Sequence, residues 1–176
     1  ELPPPVLDDE LGGDNQPLPP PPGYLPHESK ANEELLKYER LILRMIIRFG
    51  EQILFQDDDQ QDVTVIGYID SELRNDELTF STPLHQQILN EAIAQQANNG
   101  FKAERYFLMH ENPTISQFAG NLISERYQLS KYHSKGQKII GDEERLGELI
   151  PHLVINYKYA IVGEELKKML QQLQDP

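Results

Sequence analysis

Nine of the 13 prolines fall between Pro3 and Pro26, and the other four stand at positions 83, 113, 151 and 176. A proline inside a helix removes a hydrogen bond and clashes with the preceding turn, so this distribution leaves long proline-free runs only after residue 28. The first 28 residues also hold six acids (Glu1, Asp8, Asp9, Glu10, Asp14, Glu28) and no Lys or Arg. Such a segment buries too little apolar surface to offset its ordering entropy, and its prolines favour extended polyproline II. Residues 1–28 therefore read as an acidic, semi-rigid linker. A polyproline ligand for a partner's aromatic groove is the rival reading.

The four later prolines mark helix starts. Thr82-Pro83 and Asn112-Pro113 pair a capping residue with proline at the first helical position. Leu84, Ile88, Leu89, Ala92 and Ile93 then repeat at helical spacing, as do Ile115, Phe118, Ala119, Leu122 and Ile123. Upstream, Leu35, Tyr38, Ile42, Met45, Ile46 and Phe49 predict a long helix from about Asn32 with Gly50 as its stop. Phe101–Met109 predicts a shorter one. Asp142-Glu143-Glu144 places negative charge where a helix N-terminus favours it. The apolar positions from Leu146 to Leu173 continue that helix to the end, with Pro151 either kinking it or starting a new one.

Residues 52–70 admit two readings. Ile53-Leu54-Phe55 and Val63-Thr64-Val65-Ile66 have strand character around the acidic stretch Asp57–Asp62. Thr64 as a cap followed by Val65, Ile66, Tyr68, Ile69 and Leu73 reads instead as a helix. The helix is preferred, because no other segment could complete a sheet and an isolated hairpin is marginal in water. The expected fold is all-α. Residues 1–28 form the linker, 29–141 a multi-helix bundle, and 142–176 a long C-terminal helix.

Net charge of −13 disfavours a phosphate-binding surface over the whole chain. Cysteine is absent, which removes disulfides, thiol catalysis and Cys-ligated zinc. No apolar run approaches the ~20 residues that span a bilayer, and no signal peptide is visible. A cytoplasmic home without membrane contact fits. The five histidines, at 27, 85, 110, 133 and 152, show no i, i+3 or i+4 pairing, and capping or surface roles suit His85 and His152 better than metal ligation. No phosphate loop, nucleophile elbow or metal-ligand motif occurs, so no catalytic, cofactor or metal site is expected.

Three features stand out. Arg40, Arg44 and Arg48 recur every four residues beside the apolar face of the first helix, either as a solvated edge or as a docking stripe for an acidic partner. Arg126, Lys131, Lys135 and Lys138, with Tyr127, Tyr132 and His133 among them, form a basic segment. It reads as an inter-helix loop or as a nucleic-acid contact in which tyrosines stack on bases. Last, the far half of Val154–Leu173 is apolar enough to seat a further helix of the same protein or a partner helix. The chain starts at Glu1 rather than Met and stops at Asp175-Pro176, a capping residue and first-turn proline. It therefore reads as the C-terminal part of something longer, with another helix beginning where it ends.

The strings Tyr38-Glu39-Arg40-Leu41-Ile42-Leu43-Arg44-Met45-Ile46-Ile47-Arg48-Phe49-Gly50, Pro83-Leu84-His85-Gln86-Gln87-Ile88-Leu89 and Ser124-Glu125-Arg126-Tyr127-Gln128-Leu129-Ser130-Lys131-Tyr132-His133 resemble the C-terminal region of bacterial DnaG-type replicative primases. The resemblance covers about residues 30–176, and the proline-rich segment matches the linker after the catalytic core. It implies a non-catalytic helical domain that docks primer synthesis onto the N-terminal domain of the hexameric DnaB-type helicase at the bacterial replication fork. Zinc and magnesium would belong to absent domains of such a primase. In that family a long helix leads from the bundle to a terminal hairpin carrying much of the helicase contact, and here the hairpin would begin after Pro176. No binding residue transfers by the resemblance. The residues themselves nominate Arg40, Arg44 and Arg48 for partner contact, or Arg126, Lys131, Tyr132, Lys135 and Lys138 in an alternative DNA-binding module.

Overall fold

A computed structural model describes residues 30–125 and 145–174. The described residues form helices α1 (Lys30–Phe49), α2 (Val65–Asn75), α3 (Pro83–Gln95), α4 (Ala103–Leu108), α5 (Pro113–Ser124) and α6 (Leu146–Gln174). They also form one antiparallel hairpin, β1 (Ile53–Gln56) with β2 (Asp62–Thr64). The fold is broadly all-α, as the periodicity predicts.

Helix α1 is the axis of the bundle. It packs on α2, α3, α4, α5 and α6, so little of it from Tyr38 to Phe49 faces solvent. Ile42, Leu43, Ile46 and Ile47 are fully buried and Phe49 nearly so. Each such side chain contributes about 1.5–3 kcal/mol on leaving water. Ile66 and Ile69 of α2, Ile88 of α3, Phe107 of α4, Ile115 of α5 and Ile150 of α6 complete this core.

The helix preferred over 52–70 is corrected in its first part. Residues 53–64 form the hairpin, with Ile53 opposite Thr64, Phe55 opposite Val63 and Gln56 opposite Asp62, and an irregularity between Ile53 and Phe55. Asp57 Oδ1 closes the turn by accepting the amides of Asp59 (2.9 Å) and Gln61 (2.8 Å). The hairpin escapes the instability of an isolated one because it is anchored in the bundle. The Val65 amide donates to Gln52 O (2.9 Å), the Ile66 amide to Gly50 O (3.1 Å), and Phe55 meets the Tyr68 ring edge-on at 5.9 Å. From Val65 onward the helical reading holds. Thr64 caps α2, its Oγ1 accepting the Gly67 amide at 3.0 Å.

Asn112 caps α5 in the expected way, accepting the Thr114 amide at 3.0 Å ahead of Pro113. Thr82 stands at the N-cap of α3 without a side-chain cap bond. Helix α6 runs through Pro151 without ending. Its first half supplies the buried residues Leu146, Ile150, Val154 and Tyr157 to the bundle, and from Val162 onward no residue is fully buried.

Gly50 permits the close turn from α1 into the hairpin. A Cβ there would strike the Ile46 carbonyl oxygen and come within 2.7 Å of Ile66 Cδ1. Gly50→Ala is therefore expected to destabilise the fold by about 2 kcal/mol, since backbone must shift. Gly163→Ala, in open space within α6, is expected to be neutral or to stabilise by up to about 1 kcal/mol through helix propensity. Urea unfolding of both variants checks the contrast.

Candidate docking surface

Two polar anchors fix how α6 leaves the bundle. The first is centred on Glu39, fully buried on α1. Its Oε1 accepts the Ser81 amide at 2.6 Å and the Tyr157 hydroxyl at 3.3 Å, and its Oε2 lies 2.6 Å from His85 Nδ1. An ionised carboxylate only accepts, so the imidazole presents N–H to it. Tyr157 also reaches Thr79 O at 3.3 Å, and its ring meets Phe80 edge-on at 5.7 Å. Glu39 thus joins α1, the 79–81 connection, α3 and α6. Burial acts to raise its pKa, but hydrogen bonds from His85 and the Ser81 amide outweigh that, and the carboxyl titrates below its usual range. Burial first, and the Glu39 carboxylate second, push the Tyr157 hydroxyl far above its ordinary pKa.

The second anchor is Lys158, whose ammonium meets Glu72 at 2.8 Å and Asp76 at 2.6 Å at the end of α2. Burial opposes its charge. Hydrogen bonds to Asp76 and Glu72 prevail and hold its pKa above the ordinary lysine value.

From Ile155 onward α6 carries a second apolar face. Ile155, Tyr159, Val162, Leu166, Met169, Leu170 and Leu173 are 47–83% exposed. Six of them, at 155, 159, 162, 166, 169 and 173, alternate steps of four and three residues, the heptad spacing of a helix-pairing seam. Contiguous exposed apolar surface of this kind marks an interaction site. This is the candidate functional surface.

The arginines nominated from sequence do not form one exposed basic face. Arg40 pairs with Glu125 and lies over the Phe118 ring, 5.4 Å from its centroid. Arg44 is only 6% exposed, and half-buried Arg48 stacks on Phe49 at 4.8 Å. A spacing of four residues aligns the three on one helix face. Because α1 is surrounded, that face is largely covered. The basic segment with Arg126, Lys131, Tyr132, Lys135 and Lys138 lies outside the described residues.

His85 is corrected from a capping or surface role to a buried partner of Glu39. The legible signal was the acid itself: Glu39 sits three residues before Ile42 and seven before Ile46, on the apolar side of α1, where a carboxylate needs donors. His152 is exposed, as expected. His110 bridges elements too, its Nε2 2.7 Å from Glu91 while its Nδ1 accepts the Asn112 amide at 3.0 Å. Among the described residues no group of three or more His, Cys, Asp or Glu is placed to hold a metal ion, and no helix is long and apolar enough to cross a membrane.

Because the folded pKa of Glu39 lies below the unfolded one, its network contributes stability above the unfolded value, and this is lost as pH falls through the folded value. Glu39→Gln is expected to lower stability by about 2 kcal/mol at pH 7 and to flatten the decline below about pH 4.5. Urea titrations at pH 7, 5 and 4 test this; parallel pH profiles for the two proteins would remove Glu39 from the acid response.

No curated protein and no solved structure matches the chain. The family described as Domain of unknown function (DUF8430) matches residues 27–176, and this chain belongs to that family.

Proposed function

We propose that this chain is a non-catalytic docking module of a DnaG-type primase, holding the primer-synthesising enzyme on the N-terminal domain of the DnaB-type hexameric helicase in the bacterial cytoplasm. The observation that carries the reading is the outer half of α6: an exposed apolar face on a helix anchored at its base by Tyr157 and Lys158. The three strings that resemble primases give the partner. In that family the long helix leads to the main helicase contact, and α6 is the element that corresponds to it.

The physical properties suit the role. Rigid anchoring at residues 157 and 158 orders the helix before binding, which lowers the entropic cost of association. An acidic linker tethers the catalytic domains and raises their effective concentration at the fork. Net charge of −13 keeps the module from competing for DNA phosphates. Any zinc or magnesium would serve the other domains of the primase.

Calorimetric titration of the helicase N-terminal domain with this chain tests the proposal. Saturable binding is expected, weakened at least ~10-fold by Leu166→Glu, because apolar anchors at the centre of an interface dominate its energy. Arg40→Ala is expected to change affinity less than ~3-fold, since its guanidinium is held by Glu125. A loss at Arg40 as large as that at Leu166 would move the contact to α1, and binding unchanged by Leu166→Glu would reject α6 as the docking face.

A further inference from the structure

The exposed face of α6 is self-complementary. In an antiparallel helix pair, the two seam positions of the heptad face each other across the contact. Placing Leu166 opposite Met169 of a second copy brings Val162 opposite Leu173 and sets Gly163 beside Leu170, a small residue against a large one. On the other flank Glu165 falls beside Gln172, so no like charges meet. Val162, Leu166, Met169, Leu170 and Leu173 are 51–83% exposed and carry on the order of 600 Å² per copy. Doubled by the two-fold axis, that reaches the lower bound of about 1,200 Å² for a specific interface. A parallel pair would instead bring both bundles, each packed on the first half of its α6, to the same end of the helix pair.

We infer that two copies of this chain associate through antiparallel pairing of residues 162–173 of α6, as a weak and reversible dimer. The inference does not depend on the helicase reading. Because both use Leu166, a second copy and a partner domain compete for one face.

Analytical ultracentrifugation of the full chain is the first measurement. A concentration-dependent rise from 20.3 kDa toward twice that mass is expected, with half-association in the tens of micromolar and monomer throughout for Leu166→Glu. Circular dichroism of the variant should be unchanged, since Leu166 is 55% exposed. A single-chain mass up to about 500 µM would overturn the inference, as would a dimer that survives Leu166→Glu. Orientation follows from cysteines placed in this cysteine-free chain. Under mild oxidation a mixture of Val162→Cys and Leu173→Cys should form the mixed disulfide in preference to either like pair. Cross-linking of each variant with itself alone would overturn the antiparallel register. Helicase titration stands apart from both: its failure alongside a Leu166-dependent dimer would reject the docking reading and leave this one.

Discussion

Glu39 lies on the inner side of α1, between Leu35 and Ile42, with no exposure to solvent. A carboxylate in that position is tolerated only because donors from three other places converge on it: the Ser81 amide, His85 of α3 and Tyr157 of α6. The arrangement is costly to break, since losing one donor leaves a buried charge under-paired. It also gives the bundle geometry that apolar contacts alone would leave loose. Ile, Leu and Val pack in many orientations, whereas a carboxylate with two oxygens fixes where a loop amide, an imidazole and a phenol must sit.

That fixed geometry divides α6 in two. As far as Ile161 the helix is part of the bundle, packed by Ile150 and Val154 and tied by Tyr157 and Lys158. Beyond it no residue of the helix is fully buried among the described residues, yet Val162, Leu166, Met169 and Leu173 keep the spacing of a buried seam. Water is a poor solvent for such a face, which makes the exposed half the candidate interaction surface. Tyr157 and Lys158 tie the base of this surface to Glu39, Glu72 and Asp76.

Much of this was readable in advance. The proline positions, the caps Asn112 and Thr64 and the apolar spacing after residues 83, 113 and 146 depend on local backbone chemistry, which the sequence states outright. The hairpin at 53–64 was not readable in the same way. Its strands are short, and they persist because Gln52 and Gly50 carbonyls receive α2 amides and because Phe55 finds Tyr68, contacts that exist only once the bundle has formed. His85 was misplaced for a related reason. Nothing near it in sequence reveals Glu39, which lies 46 residues earlier.

By itself, then, the sequence determined the helical class, the helix starts at Pro83 and Pro113 and the apolar run of the last helix, because each follows from spacing within a few turns. Only the tertiary structure decided which of those apolar positions are buried. Core packing against α1 takes Leu146, Ile150, Val154 and Tyr157, and the face through Leu166 is left in water. It likewise decided that Arg40, Arg44 and Arg48 lie against protein, since a helix surrounded by five others has little surface to offer a partner. Burial is a property of what surrounds a helix, and the surroundings come from residues far away along the chain.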